Sequence, residues 1–227
     1  MYTWGPIQRT AAAPGLTPWF LDTFTAADGT DPTTRTVDVA LNGEWDNWRP
    51  NGTNDRGEIN SNRLELKTGE TRSVLYASNN AATDVAVSIA HTILLIADAG
   101  TDPGPGAGTM RFGISDNLSE YSAIVMYPDG RLYAEAGGAS DVYETASPFP
   151  NIGAGLHKVS LHVESTGVSL IVDGSVIDTY TATGHVGNIA YVSIDFGAGG
   201  AVALNGYMDT VAVYSGITLA QATALTT

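Results

Sequence analysis

The sequence predicts an all-β protein, two antiparallel sheets packed as a β-sandwich, on three observations. From residue 73 onward, short stretches of alternating apolar and polar residues follow one another, most of them separated by a turn signal. Glycine (26) and proline (10) are frequent while only 15% of residues are charged, which suits short strands and tight turns and leaves long helices little material. With 227 residues, 43% of them hydrophobic, the chain can bury one large core, and sandwiches of this length are commonly a single domain.

Residues 1–19 precede that pattern and lack it. Pro6, Pro14, Pro18 and the Ala11-Ala12-Ala13 run deny strand alternation, so this stretch reads as an extended arm. Its Trp4 and Trp19 need a surface to pack on, either their own sandwich or a neighbouring subunit to which the arm would anchor the chain. The sandwich is assigned to residues 20–216. Strands are expected over 73–78, 84–97, 110–115, 121–127, 131–136, 157–164, 168–173, 175–182, 188–196 and 206–215. Pro128-Asp129-Gly130 and Asp173-Gly174 are hairpin turns, because glycine accepts the positive φ that such connections demand, and Thr166-Gly167 is given the same role.

Alternation tells which side is buried. Val159, Leu161 and Val163 share one side while Ser160, His162 and Glu164 take the other, and Val168, Leu170 and Val172 repeat the pattern in the next strand. The stretch 84–97 differs: Val85, Val87, Ile89 and then Ile93-Leu94-Leu95-Ile96 are nearly continuous, the mark of a central strand covered on both faces or of one with a bulge. Residues 217–227 are a short tail in which Leu219 to Leu225 has helical composition. The loops 42–56 and 99–108, rich in glycine and proline, belong at a rim, where binding functions concentrate.

The formal charge is −14 and lysine occurs only at Lys67 and Lys158, a balance that repels a phosphate backbone and argues against nucleic acid as a partner. No cysteine is present, so there is neither a disulfide framework nor a thiolate metal site. The first ten residues lack the basic start and apolar stretch of a secretory signal, and no apolar run reaches membrane-spanning length. A cytoplasmically made protein without membrane insertion is therefore expected; a removed signal would make it secreted instead.

Four pieces carry a resemblance: the Asp22-x-Phe24 opening within 20–29, the Trp45-Asp46-Asn47-Trp48 loop leading to Asn62-Arg63-Leu64, the Val172-Asp173-Gly174 hairpin, and Met208-Asp209-Thr210-Val211. Jointly, over about residues 20–216, the chain resembles the concanavalin A-like, laminin G-like jelly rolls of phage virion proteins and of secreted sugar-binding or sugar-cleaving proteins. The resemblance implies a jelly-roll β-sandwich and, as in several such folds, calcium near the meeting of the terminal strands. Such a fold hosts lectins, adhesins, lyases and structural modules, so function has to come from sites.

Glu44 and Asp46 stand two apart, which in a strand places both on one face roughly 7 Å apart, compatible with glycosidase carboxylates. The jelly-roll glucanases that this stretch resembles use Glu-x-Asp-x-x-Glu, however, and Arg49 occupies the third position, so the acid/base residue is missing and a non-enzymatic protein is expected. No Gly-x-Ser-x-Gly, cysteine or histidine spacing points to nucleophilic or transition-metal chemistry. Asp22 and Asp209, from the first and last strands, with Asp28 and Asp31, are candidate oxygen ligands for calcium; the alternative is that they cap turns. For sugar binding the candidates are Trp45, Asn47, Trp48 and Arg49, with Tyr133, Asp141 and Tyr143 as a second group, since pyranoses present apolar patches beside hydroxyls. The alternative for each aromatic is packing.

These readings converge on a non-enzymatic virion protein that decorates head or tail. It would contact other virion proteins or sister subunits through its arm and touch host-surface glycans. A secreted bacterial carbohydrate-binding or polysaccharide-degrading module is the alternative, and a ligand-free cement or spike-base protein the third.

Overall fold

The computed structural model describes residues 15–39, 45, 47–48, 57–66, 73–78, 85–86, 90–101, 108–115, 121–137, 142–146, 149–181, 188–189, 191–198 and 204–227; for 47–48, 73–78, 85–86, 121, 142, 188–189, 191 and 197–198 it describes the backbone alone. The first strands are β1 (Phe20–Asp22), β2 (Asn47–Trp48), β3 (Gly57–Asn60), β4 (Arg63–Leu66), β5 (Ser73–Ser78) and β6 (Val85–Ala86). Then come β7 (His91–Asp98), β8 (Thr109–Ser115), β9 (Tyr121–Met126), β10 (Leu132–Gly137), β11 (Val142–Glu144) and β12 (Leu156–Glu164). The chain closes with β13 (Gly167–Val172), β14 (Ser175–Tyr180), β15 (Asn188–Ile189), β16 (Tyr191–Ala198), β17 (Tyr207–Ser215) and helix α1 (Leu219–Leu225).

Two antiparallel sheets face each other, as expected. The first runs β14-β13-β12-β7-β17-β4-β3, with β1 also paired to β17; the second runs β11-β10-β9-β8-β16-β5-β2. Between them lies the main core, built from alternate residues such as Ile93, Leu95, Val159, Leu161, Val211 and Val213 on one side and Phe112, Ile124, Leu132, Ile194 and Phe196 on the other.

The β12–β13 hairpin pairs as its alternation predicts, with Val159 opposite Val172, Leu161 opposite Leu170 and Val163 opposite Val168. At the following turn Asp173 (φ 46°) and Gly174 (φ 79°) both occupy the left-handed region, the requirement of a tight two-residue hairpin. Thr166-Gly167 does not share this role. Gly167 is the first residue of β13, and a Cβ there would lie 2.4 Å from the Tyr180 carbonyl oxygen, so the glycine serves the close approach of β14.

The long apolar stretch 84–97 divides into β6, which pairs with β15, and β7, which takes a central place between β12 and β17. Every residue of β7 from His91 to Ala97 is buried, because both of its faces are covered. Leu94 and Ile96 point away from the main core into a second cluster with Ile171, Ala212, Tyr214, Ile217 and the helix residues Ala222 and Leu225. Helix α1 starts at a capping box in which the Thr218 hydroxyl accepts from the Gln221 amide and the Gln221 side chain accepts from the Thr218 amide. The tail thus covers part of the outer face of the first sheet, and no helix of the described residues covers the outer face of the second.

Candidate functional site

The β9–β10 hairpin decides which side chains stand on that outer face. The Tyr127 amide donates to the Arg131 carbonyl (2.9 Å), and Gly130 (φ 83°) supplies the left-handed residue of the turn. Pairing continues with Leu132 opposite Met126, Tyr133 opposite Val125 and Glu135 opposite Ala123. Since Ile124, Met126, Leu132, Ala134 and Ala136 lie in the core, the alternation sends Tyr127, Arg131, Tyr133 and Glu135 outward. Beyond β10, Glu144 of β11 stands directly opposite Glu135. On the other side Arg111 of β8 lies across from Val125, and Asp195 of β16 across from Arg111.

Three half-buried rings form one end of this group. Phe149 lies 6.1 Å from Tyr127, nearly parallel at 29°, and 5.2 Å from Tyr133, tilted at 56°. Its segment is stitched to the hairpin, because the Leu132 amide donates to the Pro150 carbonyl and the Ile152 amide to the Gly130 carbonyl (each 2.8 Å). The Arg131 guanidinium sits 4.6 Å from the centre of the Tyr127 ring and is held by Asp129 at 2.6 Å.

The other end is polar. Arg111 Nη2 donates to Glu135 Oε1 (2.8 Å) and the Tyr133 hydroxyl to Glu135 Oε2 (2.9 Å), so both oxygens of this carboxylate, only 7% exposed, have a donor. Burial first, and then the neighbouring charges and acceptors of Glu135 and Glu144, push the Tyr133 hydroxyl far above its ordinary range, so it stays a neutral donor. Glu144 is exposed. Apolar ring edges, a fixed guanidinium and two carboxylates within one patch can hold a ligand that offers both apolar surface and hydroxyls.

Most residues singled out in the sequence lie elsewhere. Trp45 is 1% exposed, packs edge-on against Phe20 at 5.2 Å and donates its indole N–H to Asp22 (2.6 Å); it is a core residue and offers no ring to a sugar. Asn47 and Trp48 form β2, at the opposite edge of the second sheet from β11; β2 and β10 are five strand spacings apart, roughly 24 Å. Trp48 is in register with Leu75 and Asn47 with Tyr76. Tyr133 stands in the patch, but Tyr143 pairs with Ala136 and faces the core, 4% exposed, its hydroxyl donating to Asp178 (2.8 Å). The two tyrosines are on opposite faces of one sheet. Arg49 and Asp141, like Glu44 and Asp46, lie outside the described residues.

The four candidate calcium ligands each have protein partners. Asp22 is buried, takes an ion pair from Arg35 and accepts from Trp45 and from the Phe24 amide (2.7 Å). Asp28 accepts from the Ser61 amide (2.6 Å), Asp31 from the amide and hydroxyl of Thr33 at the start of a short turn of helix (Pro32–Thr34), and Asp209 from the Thr210 hydroxyl. Among the described residues no three carboxylate or imidazole side chains gather as a metal would require. Trp19, proposed as an anchor, packs on the chain's own core, and its amide donates to the Val213 carbonyl (2.7 Å); Trp4 lies outside the described residues.

One arrangement had no signal in sequence spacing. Thr92 Oγ1 is 2.7 Å from His162 Nδ1, and His162 Nε2 is 2.8 Å from Glu164 Oε1, a hydroxyl–imidazole–carboxylate chain across β7 and β12. Thr92 is 0% exposed, so no substrate reaches it, and the chain ties two strands.

No family model matches the sequence, and no curated protein matches it. Solved structures do. One comes from work on endo-acting O-glycanases that prominent members of the human gut microbiota express to initiate mucin breakdown (11% identity, TM-score 0.56, covering 88% of this chain and 99% of that one). Another is a glycosyl hydrolase family protein from Mycobacterium fortuitum (12% identity, TM-score 0.55, 88% of this chain and 100% of that one). A third is the binding domain of botulinum neurotoxin serotype D (10% identity, TM-score 0.53, 78% of this chain). The chain spans 44% of that neurotoxin structure and essentially the full length of the other two. At these identities the shared property is the sandwich fold.

Proposed function

We propose that the chain is a carbohydrate-binding β-sandwich module whose ligand lies on the outer face of the second sheet. Tyr127, Phe149 and Tyr133 would meet the apolar patches of pyranose rings while Arg111, Glu135 and Glu144 engage hydroxyls. The observation that carries the reading is the contiguity of three half-buried rings with an ordered Arg–Glu–Tyr hydrogen-bonded group on one strand hairpin and its neighbours. Neighbours described as a glycosyl hydrolase family protein and as belonging to work on O-glycanases support it at the level of fold. Among the sequence-based readings this favours the secreted carbohydrate-binding alternative. The virion setting, the anchoring arm and bound calcium are separate proposals that neither the patch nor the neighbours support.

A shallow face predicts modest affinity, roughly micromolar to millimolar per site. On a glycan array the wild-type chain is expected to bind a defined subset, and Phe149→Ala to bind that subset at least about tenfold more weakly, as loss of one ring contact of about 1.4 kcal/mol or more implies. Its melting temperature should move by only a few degrees, because Phe149 is not a core residue. Undiminished binding by Phe149→Ala would refute the assignment of the site.

One observation favours glycoside cleavage as a second reading: Glu135 and Glu144 are directly opposed on adjacent strands, with Cβ atoms about 5 Å apart, which is close enough for their carboxyl groups to reach the roughly 5 Å separation of retaining glycosidases. Release of reducing sugar from a bound glycan, lost in Glu144→Gln, would establish it in place of simple binding.

A further inference from the structure

The charge balance of the patch points to the class of glycan, an inference that rests on the binding reading above. Directly opposed like charges on neighbouring strands repel. Of the two, Glu135 is compensated: Arg111 donates to one oxygen and Tyr133 to the other. Tyr133 has a single hydroxyl proton and lies within the influence of both carboxylates. The two carboxylates therefore have one hydroxyl proton and one guanidinium between them, and the proton lies on the Glu135 side at 2.9 Å. The other arginine of the patch among the described residues, Arg131, is paired with Asp129, and a further acid, Asp195, stands across from Arg111. Among the described residues the face therefore carries more acids than bases, on a chain whose formal charge is −14.

A neutral sugar hydroxyl supplies a donor to Glu144 but leaves the repulsion in place, and a uronate or sialate adds a third negative charge. An ammonium group both donates to Glu144 and neutralises it. We infer that the patch binds a glycan bearing free amino groups, with one ammonium on Glu144 and the flanking sugar faces against Tyr133 and Phe149, and discriminates against N-acetylated and acidic chains.

The test is calorimetric titration at pH about 6, where carboxylates are ionised and amino sugars protonated, and at about 0.15 M salt to screen long-range attraction. The probes are a β-1,4-linked glucosamine hexamer, its fully N-acetylated counterpart, an oligogalacturonate hexamer, and hexalysine as a cation without sugar. The amino hexamer is expected to bind at least tenfold more tightly than the acetylated one and measurably more tightly than hexalysine, with no binding of oligogalacturonate. Glu144→Gln should abolish the tenfold preference, whereas Glu65→Gln, the same charge change on the first sheet, should leave it intact. Equal affinity for the acetylated hexamer, tighter binding of the acidic one, or equal losses in Glu144→Gln and Glu65→Gln would overturn the inference. Failure of all four probes, with Phe149-dependent binding of another glycan on the array, removes the amino-sugar class and leaves the binding reading standing; absence of any Phe149-dependent glycan removes both.

Discussion

Trp45→Ala is expected to lower the free energy of unfolding by about 3–5 kcal/mol, a large part of the roughly 5–15 kcal/mol that a domain possesses. The indole is 1% exposed and edge-packed on Phe20 at 5.2 Å, so truncation leaves a cavity among side chains that cannot fully collapse into it. Its N–H is also one of the donors to Asp22, and removing it strips a hydrogen bond from a buried charge. Chemical denaturation should show a lower midpoint with little change in slope. A loss below about 1 kcal/mol would mean that Trp45 is not packed as described, and would return it to the list of candidate sugar-binding residues.

Arg35→Ala should cost a comparable amount, about 3–5 kcal/mol, because it leaves the Asp22 carboxylate buried without its counter-ion. Asp22 has a side-chain exposure of 0% and Arg35 of 11%, so solvent offers little compensation. Burial pushes the Asp22 carboxyl above its ordinary value, and Arg35, the Trp45 N–H and the Phe24 amide pull it back without cancelling that effect. Taking away the strongest opposing group makes the ionised form costlier still. The double variant Arg35→Ala/Asp22→Asn should therefore recover part of the loss, since the neutral amide keeps an acceptor for Trp45 and carries no charge. Strict additivity of the two changes would contradict the coupling.

The strands were legible because their signal is local. Val159, Leu161 and Val163 against Val168, Leu170 and Val172 specify a hairpin, its register and its buried face from the period of two alone. The division of 84–97 into β6 and β7 was not, since a nearly continuous apolar run carries too little alternation to show where one strand stops and another begins. Trp45 was misassigned for a different reason. An indole is at home either stacked on a sugar or buried with its N–H satisfied, and its partners Asp22 and Phe20 are more than twenty residues away in sequence.

The candidate site was half legible. Pro128-Asp129-Gly130 implies a hairpin that sets Tyr127 and Tyr133 on the same side, so two of the three rings could have been grouped from the turn alone. Phe149 could not, because it stands between prolines in a segment without periodicity, docked through Pro150 and Ile152. Nor does the sequence reveal that β11 pairs so as to bring Glu144 to Glu135 and send Tyr143 inward: a shift of one residue would exchange the two.

The proposed function requires ligand contact on the β9–β10–β11 side of the second sheet and not at the β2 edge. Chemical-shift mapping of the isotopically labelled chain, titrated in turn with the amino and N-acetylated hexamers, tests it most directly. Perturbations confined to Arg111, Tyr127 to Glu135, Glu144 and Phe149 are the predicted result. Perturbations centred on Asn47 and Trp48, with the β9–β10 hairpin unmoved, would contradict it.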